Sequence, residues 1–538
     1  MAQSQPYGVS CRGGLNTNLN QFEMLAQPGV ATTLENFEVD SDGGYRRING
    51  FSAFGGGSAA RPNSSNAILG LFVYADGLIA CSGTNVYFTL DGVTWLQINR
   101  GSVAGGGDNY STFTGRSAVA RTSQGQCNFT LYEGDSIYGE LVITDEASAT
   151  LPFYFKMTGT GALADRTYFA KLITVDSTVY PTTCIIHDKH LVVAGDSNNP
   201  NTIYYSGTND IDDFTTTGSG TIKLDDKVIG LRSFREDLVI FCKNSIYKLQ
   251  NINNSSTIVV TPVTKNVGCL DNHTIQEIGG DLVFLSPDGV RTIAGTTRIG
   301  DVELSSVSRQ IQPIINDIAS SIDGYVMESV IIRQKSQYRL FYTTTSEASS
   351  SAKGIIGSLT SNGYEWSETK GIQCRAVTSG FNYAGVEKTY HGDNDGYVYV
   401  HDSGNAFSHS GSSADIRATY ETPNYDFGDF GTRKSINYVK LSVSPEGTAE
   451  PILRVRYDYE DVNKPQPPDY TLSTIPIPSI FGTAEFAAAT FGGTNDPMVR
   501  QAVQGAGFTT NFRIRTDDSN PPYAINGLYV DYTPTNRR

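Results

Sequence analysis

Methionine and tryptophan are scarce in this chain of 538 residues, with 5 and 2 copies. Long Ala/Leu/Glu/Lys stretches, the material of helical bundles and coiled coils, are almost absent, which excludes a mainly helical protein. No stretch approaches the roughly 18 consecutive apolar residues of a membrane-crossing helix. The opening MAQSQPYGVS lacks a basic start followed by an apolar block, so no secretory leader and no membrane span are expected. Cysteine occurs seven times but never as CxxC. Cys81, Cys184, Cys242 and Cys374 sit in apolar runs such as LIACSG and LVIFCKN, and read as small buried hydrophobes rather than ligands or bridges. Synthesis and folding in a reducing cytoplasm is the expectation. Positive charge is in deficit: 40 Lys and Arg stand against 55 Asp and Glu, a net −15. Nucleic-acid affinity comes mainly from Lys and Arg releasing counterions, so a general phosphate-binding surface is not expected. A protein that DNA passes without sticking fits this charge, and so does a charge that serves solubility alone.

Catalytic signatures are missing too. The sequence has no HExxH, GxSxG or GxxxxGK[ST]. His187 and His190 read as i,i+3 on one strand, pointing to opposite faces, which argues against a zinc site. HGDNDGY (391–397) has the flavour of a calcium loop through Asp393, Asn394 and Asp395, but lacks the downstream bidentate Glu; Asp/Asn/Gly clusters are ordinary turn chemistry, and calcium there is left open. TLDGVTW (89–95) resembles the Asp-box of sialidase propellers, one residue short between Asp91 and Gly92. That box is a structural turn and would not mark an active site. No catalytic residue, metal or cofactor is expected, and the chain reads as a non-enzyme.

What is abundant favours β structure: 55 Gly, 30 Tyr and 25 Phe, with many Val, Thr and Ile. Aromatic and β-branched residues suit a pleated, half-buried surface, and glycines suit many turns. Five segments share one grammar of polar turn, short apolar strand, turn and a Val/Ile-Tyr strand: 73–92, 185–207, 233–250, 277–295 and, less cleanly, 383–404. Leu78, Leu191, Leu238 and Leu282 align in the first four, and the fifth aligns near Thr389. The short gaps match one four-stranded propeller blade of about 40–50 residues. Each long gap fits two blades, or one blade and an insertion; SIYGELVITDE (136–146) and SQYRLFYTTT (336–345) are candidates for the hidden blades. The expected fold is all-β: a propeller of six or seven blades over 55–410, with an insertion in 100–180, against the alternative of unrelated hairpins in a sandwich. One short helix is predicted in 304–319, where Ile311, Ile314, Ile315 and Ile318 have helical spacing around Pro313.

A second antiparallel, sandwich-like domain is expected over 413–538. Leu453, Val455, Tyr457 and Tyr459 alternate with Arg454, Arg456, Asp458 and Glu460, the period of a sheet with one buried face. The segment 461–480 carries five prolines, Pro465, Pro467 and Pro468 among them. Proline fixes φ and removes donors, so this reads as a stiffened loop that contacts a partner, or as a plain surface loop.

The first 54 residues form a separate N-terminal segment. In LENFEVDSDGGYRRINGF (34–51), Leu34, Phe37 and Val39 precede a turn in which Gly43 and Gly44 can take positive φ, and Tyr45, Ile48 and Phe51 follow it. The hairpin is expected to join the propeller or contact a partner. Its context, GGLNTNLNQFEMLAQPGVATTLENFEVDSDGGYRRINGF (13–51), resembles the N-terminal signature of tail nozzle proteins (tail tubular protein B) of short-tailed bacteriophages. LSSVSRQIQPIIN (304–316), FGTRKSINYVKLSV (430–443) and PPYAINGLYVDYTP (521–534) are similar to the same family. The resemblance implies a virion structural protein. It would form a homo-hexameric ring beneath the portal and an adaptor ring, assembled in the host cytoplasm. The ring would help retain the genome, carry tail fibres and let DNA leave through its lumen without specific binding. Another tail hub, or a propeller glycan hydrolase or lectin, is the alternative. Tyr45, Arg46, Arg47, Arg433, Pro465, Pro467 and Pro468 are the candidate interface residues. For Arg46 and Arg47, a local ion pair within the hairpin is the competing expectation.

Overall fold

A computed structural model describes residues 3–40, 43–98, 121, 125–134, 137–147, 150–293, 306–361, 363–381, 385–409, 412–472 and 498–537. Six four-stranded antiparallel blades follow one another: 68–97, 127–172, 183–223, 228–264, 326–370, and 376–401 completed by Phe51–Ala53. A three-stranded sheet (276–292) packs between the fourth and fifth blades. These sheets form the β-propeller expected from the repeat. The aligned leucines have one job: Leu78, Leu191, Leu238 and Leu282 are each the second residue of the second strand of a sheet, and each is buried. Of the two hidden blades, blade 2 obeys the same rule and blade 5 carries the buried Tyr338 at that position. Leu141 begins the apolar run of the second strand of blade 2, and Gln337–Thr343 is the second strand of blade 5. The region 100–180 therefore holds a complete blade at 127–172, the hidden blade for which 136–146 was a candidate, while residues 99–120, where the expected insertion would begin, lie outside the described residues.

Closure of the ring uses sequence from far away. Phe51–Ala53 pairs with Val398–His401 in the register Phe51↔His401, so the last blade takes its outer strand from residues that precede the first. The first and last blades then share a core of Ile68, Leu71, Leu78, Ala80, Ala376 and Val398. Pairing the two ends removes a free edge and fixes the blade count.

The remaining strands form two further sheets packed face to face over one large core. One contains Thr432–Pro445, Tyr523–Arg537 and Met498–Ala502; the other contains Ile416–Glu421, Thr510–Asp518 and Ile452–Tyr457. Leu453, Val455 and Tyr457 point inward, as the alternation predicted, together with Val439, Leu441, Ile514 and Val530; the strand ends at Tyr457, so Tyr459, expected on the buried face, is exposed in a 3-10 turn. The N-terminal hairpin belongs here rather than to the propeller: Phe37–Val39 pairs with Tyr45–Arg47, which pairs with Tyr523–Arg537. Thr33–Glu35 is the stitch between the lobes. It pairs antiparallel with Thr419–Glu421 of the sandwich and parallel, Glu35↔Glu368, with the outer strand of blade 5. The predicted helix is a 3-10 turn, Arg309–Ile311, followed by an α-helix, Gln312–Ser320, with Pro313 in its first turn, where its missing N–H costs nothing. All seven cysteines are buried and free.

Candidate functional site

The first strands of successive sheets pack on one another around the propeller axis, and polar residues on them, just before them and in nearby turns meet there. Gln126, Asn128 and Glu146 come from blade 2, Arg232 from blade 4, Asn272 and His273 from the turn before the small sheet, Glu328 from blade 5, and Arg375 from the start of blade 6. Blades 2 and 5 sit on opposite sides of the ring, so contacts between them cross the axis. Gln126 Nε2 donates to Glu328 Oε1 at 2.7 Å. His273 holds both sides: Nε2 is 3.0 Å from Glu146 Oε1 and Nδ1 is 3.3 Å from Glu328 Oε1. Asn272 Nδ2 donates to Asn128 Oδ1 at 2.6 Å, and Arg232 braces the turn through Asn272 Oδ1 and the carbonyls of Asn272 and Ile275. Side chains thus plug the axis of the single disc at this level.

Burial and neighbouring charge shift the titratable groups of the plug: burial would raise Glu146, but His273 and Asn128 override it and hold its carboxyl below the usual range. Burial alone would lower the His273 pKa, but Glu328, Glu146 and Asp271 override it and push it up to about 10, so the imidazolium persists at neutral pH. Burial raises Glu328 to about 7 against the pull of His273. Asp271, buried and close to Glu146, rises to about 6 with His273 opposing. Burial lowers Arg375, whose Nε and Nη1 have no hydrogen-bond partner, while Glu328 draws it the other way. Glu328 can therefore exchange a proton near neutrality. None of these residues stood out in the sequence, because each lies near the start of a blade whose register only the folded ring reveals.

The expected interface residues divide into two groups. Tyr45 is fully buried; its hydroxyl donates to Gly29 O at 2.8 Å and accepts from Gly14 N at 3.0 Å. Arg47, 1% exposed, pairs with Asp518 Oδ1 at 2.5 Å and donates to Asn405 O and Asp518 O. Arg46 bridges Glu446 at 2.5 Å and Glu38 at 2.9 Å. Only Arg46–Glu38 is the local pair within the hairpin that was the competing expectation; Arg47–Asp518 and Arg46–Glu446 tie the hairpin to distant strands of the same chain, and Tyr45 and Arg47 have no surface to offer a neighbour. Arg433, Pro465 and Pro468 are exposed, whereas Pro467 is buried and its carbonyl accepts from Arg456 at 3.0 Å. Residues 473–480 of the proline-rich loop lie outside the described residues.

The other motifs resolve into structural turns. Asp91 Oδ1 accepts from Val93 N and Thr94 N, both at 2.9 Å, and Trp95 Nε1 anchors the turn on Ala60 O. Asp393 accepts from Asp395 N, Tyr397 N and the Tyr399 hydroxyl, so the protein itself satisfies the carboxylate. Among the described residues no group of three or more His, Cys, Asp or Glu could hold a metal ion. His187 and His190 do not share one strand. They flank a two-residue turn, Asp188-Lys189, with positive φ at both positions, and pair directly across the hairpin. His187 Nδ1 meets Ser233 Oγ, and His190 meets Ser206 O and Asn253 Oδ1. A cleft of about 480 Å³ opens beside Asn36, Lys370, Phe407, His409 and Arg417, where the two lobes join.

No family model matches the chain, and no curated protein does. Among solved structures it is similar to a chain of RAG in complex with one melted and one unmelted RSS, at 10% identity and a TM-score of 0.32, covering 64% of this chain and 96% of that one. It is also similar to an exo-beta-1,3-galactanase from Phanerochaete chrysosporium, at 9% identity and a TM-score of 0.25, covering 88% and 100%. Hsv2 from Kluyveromyces lactis matches at 12% identity and a TM-score of 0.27, covering 56% and 97%. Likeness at this level bears on neither site nor function. Among the described residues no helix is long and apolar enough to cross a membrane.

Proposed function

We propose that this protein is a structural subunit of a virion tail, the nozzle ring of a short-tailed phage. The observation that supports the reading is where the segment resembling nozzle proteins goes. Residues 13–51 form the joint itself: Leu15 N donates to Trp366 O at 2.7 Å in blade 5, Asn36 Nδ2 donates to Arg417 O of the sandwich and Lys370 O of the propeller, and Phe51 closes the ring. A signature that fastens two lobes into one block suits a load-bearing subunit. In this reading copies of the block form a homo-hexamer, dock on an adaptor ring, carry fibres and enclose the genome's exit path. DNA passes through the lumen between subunits, since the axis of each propeller is plugged at His273. The surplus of carboxylates keeps phosphates from adhering.

The test is negative-stain imaging of the purified protein alone and with the adaptor protein of the same phage. Rings of about six copies are expected. A monomer that ignores the adaptor, or one that releases sugar from host-surface glycans, would replace this reading with the hydrolase or lectin alternative.

A further inference from the structure

The outer face of the sandwich sheet departs from the acidic character of the chain. Ile436, Val439 and Leu441 on one strand, and Leu528 and Val530 on the next, point into the core. Their alternates therefore face out, and the register places them side by side: Lys440 lies opposite both Tyr529 and Arg500, and Ser442 lies opposite Met498. Lys440 Nζ sits between two rings, 5.6 Å from the Tyr438 centroid and 5.5 Å from that of Tyr529, and the Arg500 guanidinium lies 4.2 Å over Tyr438. Arg433 is exposed farther along the same strand as Tyr438 and Lys440. Lys440 and Arg500 form no ion pair with a carboxylate among the described residues, although Asp531 shares this face, opposite Tyr438, where it accepts from Asn437 Nδ2 at 2.6 Å. Gly8 of the strand Gln5–Ser10 lies opposite Tyr529 and leaves that ring uncovered. Met498 is 55% exposed, on a strand at the edge of the sheet.

We propose that this Tyr438–Lys440–Tyr529–Arg500 face is the surface by which one copy of the chain docks head-to-tail on an acidic surface of a second copy; the proposal rests on the ring reading above. Rigid aromatics, Arg and Met are the residue types enriched at protein interfaces. Stacking on tyrosine holds both cations in place before contact, so less freedom is lost on docking. Charge selects the partner. A basic face set against its own copy would oppose cation to cation, which rules out an isologous two-fold contact. With 55 Asp and Glu against 40 Lys and Arg, the rest of the chain carries the acidic surplus that such a face would take. Two different complementary patches on one subunit make a heterologous contact, the kind that closes into rings.

Sedimentation velocity over a concentration series tests this on the wild type, the reversal K440E/R500E, the neutral variant K440Q/R500Q, and a control, K189E/K388E, placed on the propeller surface. Circular dichroism establishes folding, and the neutral variant stands in if the reversal misfolds. Assembly of the wild type and control at the same concentration is expected, with the reversal needing at least about tenfold more protein and the neutral variant falling between. If the wild type assembles and neither variant shifts, the face assignment falls while the ring reading stands. A wild type that stays monomeric at every concentration, with or without adaptor, removes both. If assembly is intact but the variants lose retention on heparin or duplex DNA, the face is a polyanion site instead.

Discussion

Glu38 and Arg339 meet at 3.1 Å in the joint between the lobes, with side chains 4% and 2% exposed. Glu38 belongs to the N-terminal hairpin and Arg339 to the second strand of blade 5. The same carboxylate also accepts from Arg46, Lys335 and Gln337. One buried anion thus holds three cations from two lobes. Replacing it is expected to leave Arg339 buried and sharing Asp402 with Lys335 as the remaining acid among the described residues, while Arg46 keeps Glu446. Glu38→Ala should cost about 3–5 kcal/mol in urea unfolding. Arg46→Ala, at a half-buried rim position, should cost about 1 kcal/mol or less.

The pH dependence of stability is set on its acid side by three histidines at the closure seam. His391 and His401 meet edge-on with ring centroids 4.3 Å apart, and His391 and His409 both pack on Phe51. Neither nitrogen of His391 has a hydrogen-bond partner among the described residues. Burial holds all three below the ordinary 6.5: His391 with His401 and His409 adding to the effect, His401 at about 3 with Arg339 and Lys335 adding and Asp402 opposing, and His409 against Gly371 and Asp395. The unfolded chain therefore takes up protons first. Stability is full above about pH 6.5 and falls as pH drops from there toward about 3, by up to about 1.4 kcal/mol per pH unit for each histidine. Melting temperature measured from pH 7.5 to 5 should decline less steeply for His391→Leu than for the wild type; parallel curves would remove this account.

Gly14 and Gly43 separate two costs. Both have positive φ, +68 and +92. A Cβ on Gly14 would sit 2.7 Å from Trp366 N and 2.8 Å from Trp366 O, whereas one on Gly43 meets nothing within 4 Å. Gly14→Ala should lose about 3 kcal/mol, strain and overpacking together, and Gly43→Ala about 1 kcal/mol from strain alone. Paired denaturation curves check the difference.

Asp91 is expected to matter locally. Its carboxylate is held below the usual range chiefly by the Thr94 N–H, against slight burial and with Val93 N–H and Thr89 helping. Asp91→Ala should cost about 1 kcal/mol and loosen Trp95. Fluorescence of Trp95, read in a Trp366→Phe background, should shift red and quench more readily while the far-UV spectrum is unchanged.

Much of the propeller was legible because several of its sheets repeat one local instruction, a polar turn followed by Leu and an apolar strand, which Leu78, Leu191, Leu238 and Leu282 all obey. The turn at Asp91 and the burial of the cysteines were legible for the same reason, since neighbours in sequence settle them. Pairing across a tight turn was not: His187 and His190 read as one strand because nothing in Asp188-Lys189 announces a left-handed turn. The hairpin at Arg46-Arg47 was legible as a hairpin, but the identity of its ion partners was not, because Glu38, Glu446 and Asp518 are equally plausible acids until the sheets are placed.

By itself, then, the sequence determined the all-β character, the repeat length, the alternating face of the sandwich and the overall acidity, each a property of composition or short periodicity. Tertiary structure alone decided that the first 53 residues divide among both lobes and the closing blade. It also decided that acids and a histidine from opposite blades meet on the axis, and that cations from separate strands gather on one sheet face. These are contacts between residues hundreds of positions apart, and such contacts exist only once the ring has closed.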